Sequence, residues 1–329
     1  MKKRMNDIQA IRDELYGFLC TNSNFWANNP DVELEPSIAQ NGKPSEWSLS
    51  FANKDLKDVF RIVDPCFNEK VSEAATGLER TKIYRLHSSS LAPLLLFHKV
   101  SSKNPIRFKL GECWIPFNEC HFECENQVSI EDDKTFSHID IELISEDKKT
   151  ILFLESKFSE YLFPKNEEYS WTAYYERMYT VLLDTLSDIG LAYSNGMKRE
   201  KDKKTQEYKE KRVFYLKSLN SEKIYCEGIK QMICHYMGIQ TEIDKKTYSG
   251  QRIYLGEILF DFRPSVRCAE DRLSSYSKAH CILVKALQKL AKDRFYLTSL
   301  MTYQEILLAK ENKSYLESLE PNIRNYYKL

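Results

Sequence analysis

The chain has 329 residues, 48 basic and 48 acidic side chains, and a formal net charge of zero. That length holds one large domain or two at roughly 150 residues per domain, and 42% hydrophobic with 29% charged residues excludes a disordered chain. The balanced charge removes overall basicity as a source of nucleic-acid affinity, so any such contact must be local.

In chain order, the start Met1-Lys2-Lys3-Arg4 leads into no apolar stretch, which argues against secretion. Residues 5–20 carry Ile8, Ile11, Leu15, Phe18 and Leu19 at helical spacing. Residues 21–50 contain Asn29-Pro30, Glu35-Pro36 and Lys43-Pro44, and are expected to break any regular element. A short helix fits 51–63. Ser88-Ser89-Ser90 reads as the N-cap of a helix running to about Val100, with Pro93 tolerated in its first turn. Its run Leu94–Phe97 is the longest apolar stretch, far short of the ~20 residues of a membrane helix, so no membrane partner is expected. From about 112 the period changes, and Phe117–Glu125, Ser137–Ile144 and Thr150–Phe158 read as consecutive strands. Trp171–Ile189 and Lys223–Gly238 read as helices, the second ended by Gly238 as C-cap. Ile253–Phe262 is expected as a strand, Asp271–Lys292 as a helix, Phe295–Met301 as a strand and Thr302–Lys310 as a closing helix. Helices around consecutive strands place the chain in the α/β or α+β class. Nine scattered cysteines, an odd number, fit reduced thiols in a cytoplasmic protein better than a disulfide framework.

The most informative segment is Ser137–Ile144, the polar turn Ser145–Lys149, and Thr150–Phe158. Two β-rich runs around such a turn pair as an antiparallel hairpin. The turn centres between Asp147 and Lys148, so residues whose numbers sum to 295 face each other, and Asp140 faces Glu155. Side chains two apart along a strand share a face, which adds Lys157 to Glu155. The two carboxylates are expected on the order of 4–6 Å apart, where they repel unless a cation lies between them. Two hard oxygen ligands suit Mg²⁺, with Mn²⁺ as its substitute. A bound metal polarises a phosphate and lowers the pKa of its water, while a lysine alongside offsets transition-state charge.

Asp140 followed by Glu155-Ser156-Lys157 resembles the split Asp…Glu-X-Lys signature of the PD-(D/E)XK nuclease superfamily. The resemblance implies a restriction-endonuclease-like core of helix, three strands, helix and strand. The expected order here is helix 88–100, strands 117–125, 137–144 and 150–158, a later helix, and strand 253–262. It implies catalytic roles for Asp140, Glu155, Lys157 and Gln231, and metal ligation by Asp140, Glu155 and Glu123. It also implies a Mg²⁺-dependent endonuclease in restriction, repair or mobile-element biology, acting on nucleic acid, with double-stranded DNA as the expected partner and a homodimer compatible. Residues 1–80 are then an N-terminal helical accessory segment and 81–329 the nuclease-like domain, with helix 171–190 and the charged segment after it as an insertion behind the third core strand. No Pro precedes Asp140, a departure from the common pattern.

Glu-X-Lys occurs four times, but only Glu155–Lys157 ends an apolar β run with an acid in register on the preceding strand. The bland alternative is a polar strand end with a surface salt bridge. Cys113, Cys120, His121 and Cys124 lack the paired spacing of a structural zinc site, and Cys120, Phe122 and Cys124 are expected in the core, with Glu123 and His121 on the opposite face. His121 and His138 are read as partly buried polar residues, Gln231 as a site residue or an exposed helix residue, and Tyr236 as core beside Ile229, Met232 and Ile233. Lys198–Arg212, with eight basic and four acidic residues, is either a solvated run or a phosphate-contacting loop. Tyr169, Trp171, Tyr174 and Tyr175 are expected to pack rather than stack on bases. Two rival functions stand beside the nuclease: a catalytically silent protein of the same fold that binds nucleic acid or a partner protein, and a helical adaptor whose hairpin is only structural. The intact Asp, Glu and Lys favour the enzyme.

Overall fold

The computed structural model describes residues 2–20, 23–38, 44–75, 82–130, 132–163, 169–171, 176–201, 208–218 and 225–329. The chain opens with α1 (Lys2–Cys20), α2 (Ser23–Asn28), β1 (Leu34–Ile38), β2 (Pro44–Phe51), α3 (Leu56–Phe60), α4 (Phe67–Ala74) and α5 (Leu91–Phe97). There follow β3 (Ile106–Leu110), β4 (Cys113–Ser129), β5 (Asp132–Ser145), β6 (Thr150–Lys157) and β7 (Tyr169–Trp171). Next come α6 (Glu176–Val181), α7 (Leu183–Asp188), β8 (Leu191–Lys201), β9 (Tyr208–Ser218), α8 (Cys226–Asp244) and β10 (Arg252–Leu259). The chain closes with α9 (Ala269–Leu290), β11 (Phe295–Leu297), β12 (Met301–Thr302), α10 (Tyr303–Leu307), α11 (Lys313–Ser318) and α12 (Pro321–Tyr327).

The central sheet is mixed, in the order β11-β10-β6-β5-β4-β3, with β12 also on β10. The pairs β3–β4, β4–β5 and β5–β6 are antiparallel, whereas β10 runs parallel to β6, β11 and β12. Every residue of β6 is buried, as the continuous run Ile151–Leu154 requires of a strand covered on both faces. On one face, α8 packs across β4, β5 and β10. On the other, the Ser156 hydroxyl donates to Ser89 O (2.8 Å) beside α5 and meets the Tyr303 hydroxyl of α10 (2.8 Å). The three strands and the class expected from the period change are therefore present, with β4 and β5 longer than expected.

Several expectations are corrected. The prolines at 36 and 44 do not break regular structure: they lie in β1 and β2, a two-stranded hairpin outside the main sheet, where a missing N–H costs little. Gly238 does not end α8, which continues to Asp244. A Cβ there would collide with Ser137 Oγ on β5, so this glycine lets the helix close on the sheet. The expected helix 171–190 is β7, α6 and α7, with 172–175 outside the described residues. Much of the charged segment 198–212 lies in the hairpin β8–β9, which joins β7 in a separate three-stranded sheet; 202–207 lie outside the described residues. The helix after the serines stops at Phe97, and Ser88 rather than Ser90 supplies the cap, its hydroxyl accepting from the amides of Ser90 and Leu91. Among the described residues no helix is long and apolar enough to cross a membrane.

Candidate active site

The β5–β6 hairpin takes the register expected from its turn: Ile141 faces Leu154 and Leu143 faces Leu152. Asp147 Oδ1 accepts from Ser145 Oγ (2.7 Å) and Lys149 N (3.0 Å), which fixes the turn, and Lys148 takes a positive φ of 56°. The ladder ends at that Ile141–Leu154 pair, and Asp140 and Glu155 are the next residue on each strand. There the carboxylate replaces a backbone acceptor, with Asp140 Oδ2 receiving the Ser156 amide at 2.6 Å. On the next strand, Phe122 faces Ile141 and Cys124 faces Ile139, and Glu123 between them, at a positive φ of 53°, lies close enough to act on the Asp140 charge. On the other side, Glu155 pairs with Glu257 of β10. Four acids thus lie in one row across four adjacent strands: Glu123, Asp140, Glu155 and Glu257. Strands are about 4.8 Å apart, and neighbouring carboxylates at that spacing cannot all ionise without compensation.

Compensation centres on Glu155. Its Oε1 accepts from Lys157 Nζ (2.5 Å) and Gln231 Nε2 (2.7 Å), and His235 Nε2 stands 2.8 Å from Oε2. Burial works against the charge of Glu155, but Lys157 and His235 bring its carboxyl down to about 2. Burial likewise opposes the charge of Lys157, yet Glu155 holds the ammonium proton well above the ordinary lysine range. Asp140 goes the other way. Burial and then the neighbouring Glu155 charge raise it well above the carboxylate range. Glu257 is raised by burial to about 7, although Lys157 and the Tyr276 hydroxyl, 2.7 Å from Oε2, favour its charged form. The row therefore alternates: one firmly ionised acid between two that retain their protons more tightly.

One helix supplies much of this surround. Gln231 and His235 are four residues apart on α8, so both face β6. One turn earlier, Gly228 leaves the space through which Tyr276 of α9 reaches Glu257; a Cβ would collide with that hydroxyl.

The row opens at one end into a cleft of about 700 Å³. It is lined by Glu123, His138, Asp140, Glu155 and Lys157 of β4–β6, with Tyr225, Glu227 and Gln231 from the start of α8; Glu155 and Lys157 are buried and His138 exposed. The N-terminal segment builds the other wall from Arg12 and Tyr16 of α1 with Lys82, Arg85 and His87. Glu257 lies beneath the floor, fully buried.

Asp140 and Glu155 fit a hard divalent cation in kind. Both offer carboxylate oxygens to one cleft: Asp140 Oδ2 receives the Ser156 amide, and Glu155 Oε2 has His235 Nε2 2.8 Å away. Among the described residues no group of three or more His, Cys, Asp or Glu is arranged to hold a metal. Glu123 lines the cleft but at a positive φ of 53°, and it does not complete a protein ligand set with the other two.

The residues expected from sequence — Asp140, Glu155, Lys157, Gln231 and Glu123 — all line this one cleft, and His138 joins them. His121 does not; its Nδ1 lies 3.6 Å from Glu73. Cys120 and Phe122 are buried as expected, and Tyr236 stacks on Phe295 with ring centroids 5.3 Å apart. Sequence reasoning missed His235, Glu257 and Tyr276. The helical spacing from Gln231 to His235 was a usable signal. Glu257 needed the β6–β10 register, which no turn announces. Comparison with protein-family models, curated proteins and solved structures finds no match to this chain.

Proposed function

We propose that the chain is a metal-dependent nuclease of the PD-(D/E)XK kind that hydrolyses phosphodiester bonds, with DNA as the leading substrate. The observation that supports this reading is the meeting of Asp140, Glu155, Lys157 and Gln231 in one cleft, in the order along the strands that the signature demands. Asp140 and Glu155 are the residues that would hold Mg²⁺ or Mn²⁺. Bound there, the cation supplies polarisation of the phosphate and a more acidic water. Lys157, kept charged by Glu155, offsets negative charge growing on the phosphate oxygens. Gln231 and His235 hold the Glu155 carboxylate in place, and burial keeps bulk water from weakening these interactions.

A second reading has its own support. Glu155 Oε1 already receives two donors, and no third protein ligand converges among the described residues. Both facts suit a silent relative that binds nucleic acid or a protein. Incubation of the purified chain with plasmid, linear and single-stranded DNA and RNA, in Mg²⁺ or Mn²⁺, separates the two. The nuclease reading expects cleavage that a chelator stops and that Asp140→Asn and Glu155→Gln abolish. Cleavage surviving both substitutions overturns this site, and no cleavage by a folded chain favours the silent reading.

A further inference from the structure

The cleft is deep at Glu155 and Lys157, 2% and 3% exposed, whereas Asp140 is half-buried and His138 lies exposed at its rim. Its N-terminal wall also reaches across. The Arg12 guanidinium of α1 stands over the Phe163 ring, 6.0 Å from its centroid, joining α1 to the segment that follows β6. That distance is within cation–π reach. Tyr16, one helical turn further, is fixed by the Leu49 amide donating to its hydroxyl at 3.1 Å. Lys82 and Arg85 line the same cleft and add positive charge to it.

A volume of about 700 Å³ lies in the range of pockets that enclose small ligands. A duplex has a major groove alone about 12 Å wide, and its phosphates stay on the outside of two paired strands. Such phosphates reach the rim at His138 and Asp140 but not the buried Glu155 and Lys157. A strand free of its partner can enter, because its backbone needs only a cationic track and its bases an aromatic face. Arg12, Lys82 and Arg85 offer the first, Tyr16 and Phe163 the second.

We infer that the cleft is built for an unpaired polynucleotide strand, which passes beneath the Arg12–Phe163 contact and delivers its phosphate to the acid row. The inference rests on the nuclease reading for the floor, and departs from the duplex expected from the family resemblance.

The test uses the 329-residue chain carrying Asp140→Asn and fluorescence anisotropy with labelled single-stranded DNA, single-stranded RNA, blunt duplex DNA and duplex with a single-stranded tail. All are measured at one salt concentration, because phosphate contacts are salt-dependent. Single strands and tailed duplex should bind at least about tenfold more tightly than blunt duplex, the scale of one base–aromatic stack. Preference for unpaired DNA, RNA or both supports the inference and identifies the sugar. Adding Phe163→Ala, or Arg12→Ala should the first variant melt early, should reduce the preference several-fold. Blunt duplex bound as tightly as single strands overturns the inference. The wild-type chain with Mg²⁺ separates the two claims. Cutting within blunt duplex overturns the inference and keeps the nuclease; strand preference without cutting supports the inference and overturns the nuclease; no binding to any form overturns both.

Discussion

Two glutamates in this molecule are held by the same kinds of partner. Glu155 meets Lys157, Gln231 and His235. Glu320, at the start of α12, has Lys99 Nζ 2.7 Å from Oε1 and His98 Nε2 3.2 Å from Oε2. Burial opposes both charges, and in both the lysine and histidine bring the carboxyl down to about 2. What surrounds them differs. Glu320 ties the C-terminal helices to the end of α5: Lys99 also donates to Ser318 O (2.7 Å), and His98 Nδ1 to Leu95 O (2.9 Å). Glu155 instead stands in a row with three more acids and lines a cleft. A depressed glutamate with a lysine is therefore not the mark of a site here. The mark is the acid beside it, Asp140, whose carboxyl burial and the Glu155 charge push up although the Lys157 charge acts the other way.

The largest effect expected is at Lys157. Lys157→Ala leaves Glu155 buried without its strongest cation, and breaking a buried pair costs about 3–5 kcal/mol. Where the variant remains folded, cleavage should fall roughly 10²–10³-fold, the scale of one lost electrostatic donor. Nucleic-acid affinity should fall only modestly, because other cations share the phosphate contacts. Lys157→Arg should rescue little, since a planar guanidinium does not replace a compact ammonium. Cleavage rate and affinity measured at one salt concentration test this. Equal losses in both would make Lys157 a phosphate anchor only.

Glu257 sharpens the comparison through pH. Its carboxyl titrates near 7 in the native protein against an ordinary 4.5. The folded state therefore binds a proton more readily than the unfolded chain, and stability falls as pH rises from about 4.5 to about 7. At about 1.4 kcal/mol per pKa unit the loss is on the order of 3 kcal/mol. Glu257→Gln keeps an acceptor for Tyr276 and should flatten this slope in denaturant melts across that window. An unchanged slope would mean that the buried row is not charged as described.

Glu320 gives the opposite sign and a smaller effect. Its depressed carboxyl stabilises the fold above about 4.5, and that contribution is lost as pH falls towards about 2. Glu320→Gln should cost about 1–3 kcal/mol at neutral pH, since His98 and Lys99 lose a charged acceptor. The cost should vanish in acid, and cleavage should be unaffected at temperatures where the chain is folded. A cleavage defect there would dissolve the contrast between the two glutamates.

The site was more legible in the sequence than the fold around it, for a physical reason. A hairpin's register is set by its turn, so the spacing about Asp147-Lys148 contained the pairing up to Ile141–Leu154, with Asp140 and Glu155 one residue beyond it. Burial of Ile151–Leu154 followed from apolarity alone. The β6–β10 pairing joins segments about a hundred residues apart, and nothing local encodes it, which hid Glu257. The hairpin β8–β9 was obscured because alternating charge also marks a solvated run. Pro36 and Pro44 misled because a breaker in a central strand is tolerable in an isolated pair. Gly238 misled because close packing and helix termination ask for the same residue.

On the proposed nuclease reading, Asp140 and Glu155 form a cation site and Glu320 does not. Calorimetric titration of Mg²⁺ at neutral pH into the wild-type chain, Asp140→Asn and Glu320→Gln tests it most directly. The account predicts saturable binding to the wild type and to Glu320→Gln. It predicts loss of that binding in Asp140→Asn, whose melting temperature without metal should match or slightly exceed the wild type's, because removing one of two neighbouring acids relieves repulsion. A wild-type chain that takes up no Mg²⁺, or an Asp140→Asn chain that binds it equally well, would contradict the account.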